Sequence, residues 1–467
     1  MAETQIAPVA LDRAAGDLEG QVYRALRARI LGGTLGPGQA LPSTRGLATA
    51  LGLARSTIVG AYERLKAEGF AESAVGRATR VAAIAPPLGA HPRQVRPERA
   101  AREEPLLPLR PGVPDLASFP RALWGRLLAA RARRLGAEDL GYGAPLGLTA
   151  LREAILAHIA ISRGVVAEPD QLFLFPSTRA AIGLIARLAL TPGQSAWIEE
   201  PAYPSAQRIL AEAGATLLPM PCDEAGIRVD TDAVRPHLIY VTPSHQYPTG
   251  VTMSLARRLA LLEAASRHGA LILEDDYDSE FQFDGKPIAA LQGIDRAGVV
   301  AYLGTLSKVL APGVRLSYAV VPRSLAERLG TMIQLQGLAV SIHVQSAFLE
   351  FLREGHFRAH IRRMTPLYAA RMAAFRAAVQ AACGDAIMPG PGTGGLQLAL
   401  WFRDPTCDDR AIAERLRGAG YGPQALSAMH LGAGRPGLLC GIAGLAPDGT
   451  GRAARAIAEA MGAVTLV

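Results

Sequence analysis

The sequence predicts an α/β protein of two unequal parts. A small winged helix-turn-helix spans residues 18–81, a proline-rich linker spans 82–108, and a large domain of mostly parallel sheet with flanking helices spans 109–462. Three observations carry this division. The first is charge: the chain of 467 residues has a net charge of +8, and residues 21–80 hold nine basic against three acidic residues, so most of the excess sits in one short segment. The second is composition: Ala82–Pro108 contains Pro86, Pro87, Pro92, Pro97, Pro105 and Pro108 with almost no apolar periodicity, the texture of an extended, partly stiff linker. The third is alternation. From Leu109 onward, helical patterns such as Thr149–Ser162 and Arg179–Leu190 alternate with short apolar runs at Leu172–Phe175, Ser195–Ile198, Leu238–Val241, Ala270–Leu273, Val299–Leu303 and Ser317–Val321, which is the βα rhythm of a sheet covered by helices.

The N-terminal elements follow in order. Leu18–Gly32 places Val22, Leu26 and Ile30 on one helical face and ends in the Gly/Pro-rich turn Gly32–Gly38. Ser43 caps a helix through Leu47 and Leu51, and Ser56 starts a second through Ile58, Tyr62 and Leu65. Two short helices separated by Leu53–Arg55 are a helix-turn-helix. The alternation over Gly69–Val81, with Gly76 at the tip and Arg77 and Arg80 beside it, adds the wing. A helix N-terminus carrying Arg55, Ser56 and Thr57 offers phosphate contacts and side chains for a major groove, and wing arginines reach the neighbouring backbone or minor groove. A basic three-helix domain that binds protein, or nothing, is the competing reading of charge alone. The wording Leu41-Pro42-Ser43-Thr44-Arg45 followed by Ala54-Arg55-Ser56-Thr57-Ile58 resembles the GntR superfamily of bacterial regulators. That resemblance implies double-stranded DNA as a partner, contacted by Arg45, Arg55, Ser56 and Thr57, with Gly76 and Arg77 in the wing.

Positive charge is supplied by arginine almost everywhere; the only lysines are Lys66, Lys286 and Lys308. Lys66 lies on the second helix of the pair and Lys286 in a loop, but Lys308 sits in Tyr302-Leu303-Gly304-Thr305-Leu306-Ser307-Lys308, with Arg315 seven residues later. A lysine in a dry pocket can lose its proton and form a Schiff base with an aldehyde. Hydroxyls and a guanidinium nearby suit a phosphate dianion. Aldehyde and phosphate together describe pyridoxal 5'-phosphate (PLP), although a serine and lysine near an arginine also describe an ordinary surface loop. Three further segments add weight. The strand pattern Ala270–Leu273 ends in Glu274-Asp275-Asp276-Tyr277, where open α/β sheets bind ligands. Glu199-Glu200-Pro201-Ala202-Tyr203-Pro204 ends another strand with a tyrosine able to lie against a heteroaromatic ring. Leu172–Phe175 leads through Pro176-Ser177-Thr178 into a helix whose free N–H groups could cap phosphate.

Together these segments resemble the fold-type I aminotransferases over about residues 109–462. Thr242-Pro243-Ser244-His245-Gln246-Tyr247-Pro248-Thr249-Gly250, the run from Glu274 to Gly293, Tyr302–Tyr318 and Phe351–Met364 resemble more particularly the MocR/GabR branch, in which a GntR-type winged helix is fused through a linker to an aminotransferase-like domain. The resemblance implies a PLP-binding effector and dimerisation domain with a smaller C-terminal α+β subdomain. Lys308 would carry the cofactor, Asp275 would pair with its pyridine nitrogen and Tyr277 with its 3'-oxygen. Arg315, Thr305, Ser307, Ser177 and Thr178 would surround the phosphate, Tyr203 would stack, and Tyr142 would reach a neighbouring subunit's phosphate in a homodimer.

Two departures from the branch are visible. Ser177-Thr178-Arg179-Ala180 stands where the branch often has a glycine, a small residue and two glutamines, so Arg179 could face the phosphate or an effector. Leu438-Leu439-Cys440-Gly441-Ile442-Ala443 lacks the arginine with which working aminotransferases clamp a substrate carboxylate, and the nearest is Arg435. The leading expectation is therefore a PLP-dependent transcriptional regulator without physiological turnover, at most with a residual transaminase half-reaction, sensing a small amine, an amino-acid-like compound or PLP itself. An authentic aminotransferase with an accessory DNA-binding domain is the alternative, and a cofactor-free DNA-binding protein is a third reading. The N-terminus lacks a signal-like apolar core, no apolar run reaches the roughly 18 residues of a membrane span, and Cys222, Cys383, Cys407 and Cys440 are scattered without metal or disulfide spacing. The expected location is the cytoplasm, on the nucleoid when DNA is bound, with no membrane partner.

Overall fold

The computed structural model describes residues 11–73, 78–83, 106–229, 234–283 and 288–462. Most of the expected linker, the wing residues Gly76 and Arg77, and Lys286 lie outside the described residues. The chain divides into two compact units, Met1–Glu104 and Pro105–Val467.

The small unit contains α1 (Leu18–Leu31), α2 (Thr44–Leu51) and α3 (Arg55–Ala67), followed by β1 (Ala71–Glu72) and β2 (Arg80–Val81), paired antiparallel. Val22, Leu26 and Ile30 of α1 pack with Ile58, Tyr62 and Leu65 of α3 in one core, as their helical spacing requires. Ser43 caps α2 by accepting from the Gly46 N–H at 3.0 Å, and Gly52 ends it at φ 61°, a left-handed position suited to glycine. α3 starts one residue before the expected Ser56. Ala54 precedes it in extended backbone and supplies no side-chain cap, so the turn between the helices is shorter than its polar residues suggest.

The large unit opens with α4 (Arg121–Ala132), α5 (Ala137–Leu140), α6 (Thr149–Arg163), β3 (Leu172–Phe175), α7 (Thr178–Ala189), β4 (Ser195–Glu200) and α8 (Pro204–Glu212). It continues through β5 (Thr216–Asp223), β6 (Gly226–Ile227), β7 (Leu238–Val241), α9 (Leu255–His268), β8 (Leu271–Asp276), α10 (Leu291–Ile294), β9 (Val300–Thr305) and β10 (Ser317–Val320). The last part holds α11 (Arg323–Gln336), α12 (Ile342–Arg353), α13 (His356–Cys383), β11 (Ile387–Pro389), β12 (Gln397–Phe402), α14 (Asp409–Gly418), β13 (Gln424–Ala425), β14 (Gly437–Gly441) and α15 (Thr450–Met461).

Eight strands form one sheet in the order β3-β10-β9-β8-β7-β4-β5-β6. β5, β4, β7, β8 and β9 run parallel. β10 runs against both of its neighbours, β9 and β3, and β6 runs against β5. On one face α7, α8 and α11 cover Phe173, Phe175, Ile198, Tyr240 and Leu303. On the other face α9 packs against Trp197, Ile239, Val241 and Ile272. Burial on both faces explains why these strands read as continuous apolar runs rather than alternating ones.

A second, antiparallel sheet, β11-β12-β14-β13, lies near the C-terminus. One of its faces packs Leu398, Leu400, Leu438 and Cys440 against α14, α15 and the end of α13, while Ala399 and Leu439 on the other face cluster with Leu426, Met429, Tyr247 and Trp401. α13, 28 residues long with Pro366 inside it, connects the two regions: His360 Nε2 lies 3.0 Å from the Val309 carbonyl, and Phe375 and Val379 join the core beside the small sheet.

Candidate functional site

The parallel strands deliver their chemistry at their C-terminal ends. In the β8–β9 register Asp275 lies opposite Leu303 and Asp276 opposite Gly304, so the acidic end of β8 meets the turn that carries Lys308. Asp275 is buried. Its Oδ2 accepts from the Tyr240 hydroxyl of β7 at 2.7 Å, and its Oδ1 has no hydrogen-bond partner among the described residues. Burial pushes the carboxyl up to about 6 despite the Tyr240 bond. A buried carboxylate oxygen left without a partner is costly, and it suits a cationic N–H brought in by a ligand.

Lys308 Nζ donates to the carbonyl of Gly112 at 2.7 Å. Burial lowers its ammonium below the ordinary lysine range, with Arg179 acting in the same direction and Asp278 and Asp275 opposing. Gly112 is at φ 73°, and a Cβ there would lie 2.8 Å from Nζ. Only glycine both adopts that backbone and leaves room for the lysine. Sequence reasoning missed Gly112, because a glycine distant in the chain carries no local mark of the lysine that packs on it.

Aromatic rings stand next to this pair. Tyr203 meets Tyr247 edge-on with centroids 5.3 Å apart, and Tyr247 meets Tyr277 at 5.8 Å. Burial drives the Tyr277 phenol well above its usual range. Arg179 Nε donates to the Tyr203 hydroxyl at 3.1 Å. Ser177 caps α7, its hydroxyl accepting from the Ala180 N–H at 3.2 Å, and Thr178 is the first residue of that helix. The Thr305 and Ser317 hydroxyls lie 2.9 Å apart, and Thr305 Oγ1 accepts from the Ser307 N–H at 3.2 Å. Arg315 is exposed and held at φ 54°, a left-handed conformation that a side chain as large as arginine rarely adopts. Tyr142 is fully exposed.

A buried polar frame behind the site was not read from the sequence. Arg163 at the end of α6 donates to Asp276 Oδ2 at 2.8 Å and bonds Ser244, while the Tyr302 hydroxyl donates to the same carboxylate oxygen at 2.6 Å. His245 Nδ1 lies 2.7 Å from Asp278 Oδ1, and Asp278 Oδ2 accepts from the Leu396 N–H at 3.2 Å, tying the loop after β8 to the start of the small sheet. Glu199 accepts from the Thr242 hydroxyl at 2.6 Å. The quoted runs Thr242–Gly250 and Glu274–Gly293 hold Thr242, Ser244, His245, Asp276 and Asp278, but their pairing with one another and with Arg163, Glu199 and Tyr302 requires three dimensions.

The C-terminal strand is apolar throughout: every residue of β14 is buried, and Leu439 belongs to the apolar cluster against which Tyr247 packs. Arg435 is exposed and lies over the Trp401 ring, 5.4 Å from its centroid. Arg371 reaches the chain just beyond β14, but it is paired with Asp115 at 3.0 Å and with the Ala443 carbonyl. In the small unit Arg45, Arg55 and Ser56 are exposed, Thr57 is half-buried in the first turn of α3, and Arg55 Nε donates to Thr44 Oγ1 at 3.4 Å.

A gntR-type winged helix joined to an aminotransferase fold is the architecture these observations define. Residues 124–415 match the family described as aminotransferase class I and II, and residues 18–81 match the bacterial regulatory proteins of the gntR family. The chain is 36% identical over 445 residues to the probable rhizopine catabolism regulatory protein MocR of Rhizobium meliloti, covering 91% of this chain and 90% of that protein. It is 33% identical over 395 residues to the pyridoxine biosynthesis transcriptional regulator PdxR of Corynebacterium glutamicum, covering 82% and 83% of the two chains. Among solved structures, Pyrococcus horikoshii kynurenine aminotransferase superposes with a TM-score of 0.71 at 24% identity, over 76% of this chain and 90% of that one, a likeness of fold. The chain belongs to the MocR-type transcriptional regulators, whose two parts are a GntR DNA-binding domain and an aminotransferase class I and II domain.

Proposed function

We propose that this chain is a PLP-dependent regulator in which the large domain over 109–462 holds the cofactor and an amine effector while the winged helix over 18–81 binds operator DNA. The observation that carries the reading is that Lys308, buried and within electrostatic reach of Asp275, stands by a buried carboxylate whose second oxygen has no partner among the described residues. Bound PLP would supply an aldehyde for amines to condense with and a pyridine ring that draws electrons. The chain's own residues divide the remaining work. Lys308, its ammonium disfavoured by burial, offers the amine that holds the aldehyde. Asp275 accepts the pyridinium N–H, and Tyr277 bonds the 3'-oxygen. Tyr203 stacks on the ring. Ser177, Thr178, Thr305, Ser307 and Arg315 bind the phosphate, with the N-terminus of α7 contributing its free N–H groups. Tyr142, wholly exposed, reaches the second subunit of a homodimer.

A dimer brings two winged helices to paired half-sites. Arg45, Arg55, Ser56 and Thr57 face the operator, and Gly76 and Arg77 belong to the wing. The effector, a small amine, an amino-acid-like compound or PLP itself, controls DNA only by binding two conformations with different affinity.

Lys308→Ala is the test. Reconstituted with PLP, treated with borohydride and dialysed, the wild type keeps a reduced cofactor adduct; the variant keeps none and still binds operator DNA. A variant that retains the adduct overturns the assignment.

A further inference from the structure

We infer that Arg179 recognises an anionic group of the effector, so that this regulator selects amines bearing a carboxylate or sulfonate through the start of α7 rather than through the C-terminal strand. The inference rests on the reading that Lys308 holds PLP and adds the chemical class of the molecule sensed. Three observations converge on it. The strand β14 from which a carboxylate would be held is apolar and buried, and its Leu439 lies in the cluster against which Tyr247 packs. Arginines near that strand are engaged: Arg435 lies over Trp401, Arg371 is bound to Asp115 and the Ala443 carbonyl, and Arg110, whose backbone passes against Gly441, is not free either.

Arg179 is exposed in the first turn of α7, with its guanidinium over the Tyr203 ring, 6.0 Å from the centroid. Its Nε donates to the hydroxyl of Tyr203, the ring next to Tyr247 and so to Tyr277. Its terminal nitrogens have no hydrogen bond or ion pair among the described residues, so the two-pronged end of the guanidinium is available to a planar carboxylate. Its charge is close enough to disfavour the Lys308 ammonium. An anion that neutralises Arg179 and an amine that meets the cofactor at Lys308 would thus be two ends of one small molecule. The same guanidinium chemistry would also fit the cofactor's phosphate, and the experiment separates the two.

The probes are β-alanine and 2-aminoethanesulfonate, which carry an anion, and propylamine, which does not. The readout is the change they cause in the visible spectrum of the PLP-loaded full-length protein. Wild type is expected to respond to the two anionic amines at concentrations about tenfold or more below propylamine, the scale of one hydrogen-bonded charge pair. Arg179→Gln should abolish that preference while leaving PLP affinity within about twofold, Arg179→Lys should retain part of it, and Arg435→Gln should leave it intact. Loss of PLP affinity in Arg179→Gln with the preference preserved assigns the residue to the phosphate and overturns the inference. So does a wild type that responds equally to all three amines or to none, or a preference lost in Arg435→Gln. Failure of wild type to take up PLP at all defeats instead the underlying reading of Lys308.

Discussion

Asp275→Asn separates the cost of the site from its purpose. Without cofactor, Asp275 is a buried carboxyl with one hydrogen bond, titrating at about 6 in the fold against about 3.9 in an unfolded chain. A carboxyl raised in this way adds nothing to stability below the unfolded value and subtracts progressively as pH climbs through the folded one. The shift of about two units corresponds to about 3 kcal/mol at pH 7.5, falling to about half of that at pH 5. Asparagine keeps the shape and cannot ionise. Cofactor-free Asp275→Asn is therefore expected to melt about 2–6 °C above the cofactor-free wild type at pH 7.5, with the gap narrowing towards pH 5. With PLP the order reverses, because only the carboxylate rewards the pyridinium N–H. Thermal scans of the full-length chain with and without PLP, at pH 5.0, 6.0 and 7.5, read both effects. A cofactor-free variant less stable than wild type at pH 7.5, or a gap that does not vary with pH, refutes the reasoning.

Other perturbations probe other links. Arg163→Met strands Asp276 as an uncompensated buried charge and should cost about 3–5 kcal/mol in urea unfolding of the large unit; a loss below about 1 kcal/mol would show that the frame behind the site tolerates the charge. Gly112→Ala forces a Cβ to within 2.8 Å of the Lys308 amine at a left-handed φ. It should slow PLP uptake and cost about 1 kcal/mol or more, whereas uptake at the wild-type rate would mean the lysine does not rest there. Arg55→Ala should weaken operator binding and lower the slope of log affinity against log salt by about one, with the PLP spectrum unchanged; a spectral change with intact DNA binding would contradict the division of labour.

Legibility in the sequence depended on whether a signal was local. Lys308 stood out because the chain uses arginine nearly everywhere else, and Asp275 because a charged cluster closing an apolar run is conspicuous. Tyr240, which binds Asp275, lies inside the run Leu238–Val241 and reads as core. β5 escaped notice because Pro219 and Pro221 interrupt it and its burial is partial, as befits a strand near the sheet edge. The reversal of β10 was equally hidden. An apolar run buried on both faces does not encode its direction, and the loop Pro312–Val314 with left-handed Arg315, which turns the chain back, is recognisable only as a fold.

α13 has a mechanical consequence. Proline at position 366 has no N–H to offer the carbonyl of Arg362, so the helix is softest there. On one side His360 is fastened to Val309, next to the lysine; on the other, 17 residues extend to Cys383, an arm of about 26 Å at the rise of an α-helix. A bend of about five degrees at that point swings the far end by about 2 Å, roughly half the distance between neighbouring strands. Geometry alone thus turns a small adjustment beside Lys308 into a displacement of the C-terminal sheet as large as an atom.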